Sequence, residues 1–210
     1  MLNSRVKFWT FSLLFIAFSA YISGSLAVTK SETLLSSALS PSDNIQGDPQ
    51  AKVILIEYSD FQCPACANYA PMVRDIVEEF KAHMAFSYRN YPLESIHKNS
   101  LPSAYAAQAS AEQGKFWEMH DMLFENQNQW DSLDDPKETF VSYAKTLSLD
   151  IEKFKQDFES SKTRNKVKND LNSAKDMKLQ STPSFFLNGQ LINNPRSYEQ
   201  FRTLIREAIK

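Results

Sequence analysis

The apolar positions divide the chain into a strand–helix–strand start, a helical middle and a strand–strand–helix end. Lys52 to Tyr58 (KVILIEY) is a short, β-branched run suited to a buried strand. Glu57 interrupts it, and an acid in such a strand needs an explanation. Val73, Ile76, Val77 and Phe80 recur at i, i+3, i+4 and i+7, so the spacing predicts a helix after Cys63, with Pro71 inside it expected to kink it. Met84 to Tyr91 alternates like a second strand and ends at Pro92.

Leu101 to Gln113 is an Ala-rich helical stretch that stops at Gly114, and Lys115 to Asn126 continues with Phe116, Trp117, Met119, Leu123 and Phe124. Asp135-Pro136-Lys137-Glu138 is a helix start, with a capping acid, Pro at the first position and Glu at the third. Two further helices centre on Phe154/Phe158 and on Val167/Leu171/Ala174. Ser184 to Leu187, Asn188-Gly189 and Gln190 to Ile192 read as a β-hairpin, because Asn-Gly supplies both positive φ angles of a type I′ turn. Ser197 to Gln200 forms a capping box for a last helix carrying Phe201, Leu204, Ile205 and Ala208.

The N-terminus follows a different pattern. Arg5 and Lys7 precede an uncharged apolar run from Phe8 to Ile22, then Gly24 and the small-residue site Ser25-Leu26-Ala27. Residues 1–27 therefore read as a signal peptide, with an uncleaved signal anchor as the competing reading. Either sends the rest of the chain out of the cytoplasm. Residues 28–43 are Ser-rich and weakly patterned and are expected to be a tether, with a globular unit over 44–210. The 210 residues carry a net charge of −2 without a basic block, which gives no electrostatic argument for nucleic-acid binding.

Both cysteines of the chain lie in one stretch, DFQCPACANYAP. A bond between Cys63 and Cys66 closes so short a ring that it constrains little unfolded-chain entropy, so a staple explains it poorly. A structural zinc site needs two more ligands, whereas His83, His97 and His120 are scattered and there is no second Cys pair. A strand running into a helix at Cys63-Pro64 puts the first sulfur at a helix N-terminus, where unpaired N–H groups and the helix dipole favour a thiolate. Cys66, one turn inside, is more shielded. The asymmetry suggests that Cys63 meets the substrate and Cys66 resolves the mixed disulfide.

Glu57 to Cys66 (EYSDFQCPAC), Gly114-Lys115-Phe116-Trp117 and Ser181 to Phe186 (STPSFF) before Asn188-Gly189 together resemble the DsbA-like thiol:disulfide oxidoreductases of the thioredoxin superfamily. The resemblance covers about residues 44–210. It implies an α/β thioredoxin fold, βαβ…ββα, with an α-helical domain inserted at about 94–178. It also implies a redox-active disulfide Cys63–Cys66 without a bound cofactor, and a cis Thr182–Pro183 peptide packed against it. On this reading the Thr182 backbone pairs with an extended substrate segment and Glu57 is the acid beneath the second cysteine, shuttling its proton. The alternative for Glu57 is an edge-exposed strand position.

The activity so implied is the introduction of disulfides into cysteine-containing exported polypeptides, with reoxidation by a membrane-embedded, quinone-linked thiol oxidase. Strong oxidants of the family often carry His between the cysteines. The Pro64-Ala65 dipeptide here leads to the expectation of a less depressed Cys63 pKa and a milder oxidant. The nearer alternative is a disulfide isomerase or reductase on the same fold; the distant one is a non-enzymatic chaperone or a copper-binding module.

Overall fold

The structure, a computed structural model, describes residues 39–210; the signal, anchor and most of the tether lie outside the described residues. Five strands form one sheet in the order β1-β3-β2-β4-β5: β1 (Asn44–Gly47), β2 (Val53–Ser59), β3 (Met84–Asn90), β4 (Ser184–Leu187) and β5 (Gln190–Ile192). Strands β2 and β3 are parallel, joined by α1 (Pro64–Phe80), and the other pairs are antiparallel. Six helices lie between β3 and β4: α2 (Ser100–Ala111), α3 (Phe116–Glu125), α4 (Gln127–Trp130), α5 (Lys137–Thr146), α6 (Ile151–Phe158) and α7 (Ser161–Asp176). Helix α8 (Tyr198–Ile209) ends the chain.

The period-2 alternation of the strands decides what each sheet face buries. Val53 and Leu55 of β2, Phe86 of β3 and Phe185 of β4 pack against Val73, Ile76 and Val77 of α1 and Phe201 and Ile205 of α8. Ile56 and Tyr58 point the other way, onto Ala174 and Leu179. A separate helical core joins Phe116, Leu123, Trp130, Phe140 and Phe154, and it extends to Phe61, Cys63 and Cys66. The cysteines thus sit where the inserted helices meet the sheet.

Two elements carry no periodic signal and are absent from the sequence-based expectation. Strand β1 is four residues long and pairs with β3 at the sheet edge. It ends at Gly47, whose φ is +83° and where a Cβ would stand 2.1 Å from the Met84 carbonyl oxygen, so only glycine fits. Helix α4 is a single turn. Helix α5 begins one residue later than the capping pattern suggests: Pro136 is the cap, and the Asp135 side chain accepts from the Lys137 N–H at 3.0 Å. The hairpin turn has φ of 49° at Asn188 and 78° at Gly189, and the Ser197 side chain accepts from the Gln200 N–H at 3.3 Å.

Residues 40–43, read from sequence as the end of the tether, are tied into the fold instead. The Asp43 carboxylate, nearly fully buried, pairs with Arg89 of β3 at 2.8 Å, and Arg89 also donates to the Tyr58 hydroxyl at 2.8 Å. Lys166 of α7 pairs with Asp170 at 2.6 Å, and Asp170 accepts from the Asn90 side chain at 2.9 Å. Composition does not announce this anchor, since one Asp in a Ser-rich stretch looks solvated. Among the described residues, no helix is long and apolar enough to cross a membrane.

Candidate active site

Strand β2 ends at Ser59, and five residues later Pro64 opens α1 with Cys63 as its N-cap. Pro64 suits that position because the first turn has no use for its missing N–H. The Cys63 N–H donates to the Asp60 carbonyl at 3.0 Å, and the Cys63 carbonyl accepts from the Ala67 N–H at 3.1 Å. Both cysteines stand as free thiols; Cys63 is 8% exposed and Cys66 is fully buried. The shielding inferred from one helical turn is therefore realised.

The thiols are electrostatically unequal. A hydrogen bond from the Cys66 thiol is the main influence drawing Cys63 down to about 5; burial opposes it, while Thr182 and the Ala65 and Cys66 amides assist. Burial pushes Cys66 well up, reinforced by Cys63 and by Glu57. The value at Cys63 lies above the roughly 3.5 of DsbA itself. The Thr182–Pro183 bond is cis, and the Cys63 thiol donates to the Thr182 carbonyl at 3.6 Å. Thr182 Oγ1 is buried without a hydrogen-bond partner.

Glu57 is buried, not edge-exposed. β2 lies between β3 and β4, and Glu57 is in register with Tyr88 on one side and Phe185 on the other. Burial raises its carboxyl to about 7. Tyr88, also fully buried, is raised further by the nearby Cys66, Glu57 and Asp60. Glu57 and Ser59 point to the α1 side of the sheet by alternation. An acid in a buried strand, which the sequence left unexplained, is thus next to the buried sulfur.

The fold brings Cys63, Cys66, Glu57, Thr182 and Pro183 to one place, and it adds residues that the sequence reading missed. Gln127 Nε2 of α4 donates to the carbonyls of Phe61 at 2.7 Å and Cys63 at 3.2 Å. Gln62 Nε2 donates to the Asp131 carbonyl at 2.6 Å, and Gln62 Oε1 accepts the Asn99 N–H. Asn99 Nδ2 in turn reaches the carbonyls of Trp130, Asp131 and Leu133. His97 meets Asp60 at 2.7 Å. His120 packs edge-on against Phe61, so two of the three histidines read as scattered stand beside the cysteine loop. No local signal finds these groups, because carboxamides have no periodicity and their partners lie tens of residues away.

A family model described as Thioredoxin matches residues 39–207. The chain belongs to the thioredoxin family. Among solved structures, it resembles Wolbachia pipientis alpha-DsbA1, with a TM-score of 0.72 at 21% identity, covering 85% of this chain and 96% of that one. It also resembles oxidised BdbD from Bacillus subtilis, with a TM-score of 0.70 at 23% identity, covering 80% and 92%. These likenesses fix the thioredoxin fold with its helical insertion.

Among curated proteins, it is 31% identical over 166 residues to the Na(+)/H(+) antiporter NhaA 3 of Salinispora tropica, covering 79% of this chain and 24% of that protein. It is 36% identical over 157 residues to the Na(+)/H(+) antiporter NhaA 1 of Mycobacterium sp. (strain KMS), covering 73% and 24%. The chain spans about a quarter of the length of these curated relatives.

Proposed function

We propose that this thioredoxin-family chain is an exported thiol:disulfide oxidoreductase that introduces disulfides into cysteine-containing exported polypeptides. The observation that carries the reading is the unequal thiol pair, a Cys63 drawn down to about 5 at a helix N-terminus above a buried Cys66. A thiol that is easily ionised is a good leaving group, so the reduced pair is favoured and electrons flow from substrate to enzyme.

Starting from the Cys63–Cys66 disulfide, a substrate thiolate attacks Cys63 Sγ. A substrate–Cys63 bond forms, the intramolecular S–S bond breaks, and Cys66 leaves as a thiolate. Glu57, protonated below about 7, supplies the proton that Cys66 takes up. A second substrate thiolate attacks the substrate sulfur, Cys63 leaves as a thiolate, and the substrate keeps the new disulfide. Two electrons remain on the enzyme, and a membrane-embedded, quinone-linked thiol oxidase removes them. The N-terminal signal reading supports an extracytoplasmic location, and the likeness to a Wolbachia pipientis protein named as the thiol-disulfide exchange protein alpha-DsbA2 supports the chemistry.

The test is oxidative refolding of a reduced, unfolded substrate protein. The oxidised enzyme should accelerate it, and Cys63→Ser should abolish the effect. Undiminished activity in that variant would refute the mechanism. The reduction potential of the pair in glutathione buffers fixes the direction: about −180 mV or higher fits an oxidant or isomerase, and about −270 mV a reductase. Tight copper binding without thiol exchange would instead mark a metal-carrying module.

A further inference from the structure

We propose that His97, acting through Asp60, is a positioning residue for the thiol pair. The carboxylate of Asp60 is completely buried and three residues before Cys63. Its Oδ1 accepts the Gln62 N–H at 2.8 Å, and its Oδ2 accepts the Leu93 N–H at 2.9 Å and meets His97 Nδ1 at 2.7 Å. A carboxylate oxygen accepts, so the His97 tautomer with its proton on Nδ1 is the one that donates to Asp60. The backbone of Asp60 reaches both cysteines: its carbonyl holds the Cys63 N–H, and its N–H favours the thiolate of Cys66.

Asp60 is therefore both the anchor of the cysteine loop and a buried negative charge beside it. An uncompensated carboxylate there opposes a second anion at Cys63. Three donors offset it, two of them backbone amides, Gln62 in the loop and Leu93 just after β3. His97 is the only side chain among the three, and its ring is 16% exposed, so it is the partner that can be removed with least damage to packing. The other ionisable groups around this point are Cys66 of α1, Glu57 of β2, Tyr88 of β3 and His120 of α3, whose Nδ1 is taken by Asp121 at 2.8 Å. On the rim, Lys98 is occupied by Asp134 at 3.0 Å.

This inference rests on the exchange reading only for the use made of the thiolate. Its test is a titration of the reduced full chain, following thiolate absorbance against pH. His97→Ala should raise the Cys63 midpoint by roughly half a unit or more, as expected when a carboxylate loses a compensating donor. His97→Gln, whose amide donates to Asp60, should restore most of the shift. In an Asp60→Asn background, His97→Ala should add nothing further.

An unchanged midpoint in folded His97→Ala overturns the proposal, as does an equal shift in the Asp60→Asn background. If Asp60→Asn does not fold, the Ala and Gln variants decide alone: equal shifts in both refute the hydrogen bond. A wild-type chain that fails to oxidise substrates while showing these shifts would sink the exchange reading and leave this one standing.

Discussion

Glu57 of β2 stands directly beside Tyr88 of β3 in the parallel register, and both are buried on the side of the sheet that carries Cys66. A carboxyl so placed resists ionisation in the folded state. It titrates near 7 there, against an ordinary value of 4.5 in the unfolded chain. The folded state therefore holds a proton that the unfolded state has released over that range. The stability tied to the neutral carboxyl is complete below 4.5 and is lost as pH rises through about 7.

Glu57→Gln is accordingly expected to be more stable than the parent above pH 7, by about 3 kcal/mol, and to lose the decline between pH 4.5 and 7. Urea unfolding of the oxidised form, in which neither thiol titrates, measures this across pH. The same variant should transfer disulfides more slowly, because Cys66 loses its nearest proton donor.

Alkylation of the reduced protein separates the two sulfurs. Cys63 should react with iodoacetamide with a midpoint near pH 5, whereas fully buried Cys66 should remain unmodified at neutral pH. Peptide mapping after a short exposure reads both. Equal labelling would contradict the asymmetry.

Gln127→Leu leaves the Phe61 and Cys63 carbonyls without their side-chain donor. A loss of about 1–2 kcal/mol is expected from the unpaired acceptors, measured by urea unfolding. Disulfide transfer should fall with it as the cysteine loop loosens. The Cys63 midpoint should move less than in His97→Ala, since no charge is uncovered.

Asp43→Ala removes one member of the buried Asp43–Arg89 ion pair. The expected cost is about 3 kcal/mol, seen as a lower urea midpoint with the Cys63 titration unchanged.

Much of this arrangement was legible in the sequence for identifiable reasons. The strands and helices that bury one face carry their period in the residues, as Val73/Ile76/Val77/Phe80 and the Asn188-Gly189 turn do. The cysteine loop was legible because a strand feeding a helix at Cys63-Pro64 has only one geometric outcome. Strand β1 was not, because four residues at a sheet edge need no apolar alternation. The frame around the loop was hidden for another reason. Gln62, Asn99, His97 and Gln127 are held by hydrogen bonds to groups 31 to 69 residues distant, and polar contacts of that span leave no trace in local pattern. Asp43 was misread because its partner, Arg89, lies 46 residues on.

The long reach of that frame has a consequence for how the molecule is made. Cys63 precedes its donor Gln127 by 64 residues and its neighbour Thr182 by 119. While the chain is synthesised from its N-terminus, both cysteines emerge long before Gln127 and Thr182, the distant groups that complete their surroundings. Until the insertion has docked and β4 has joined the sheet, the pair lacks the helical core that buries it. An unfinished chain therefore carries both sulfurs without the cover that makes them unequal in exposure.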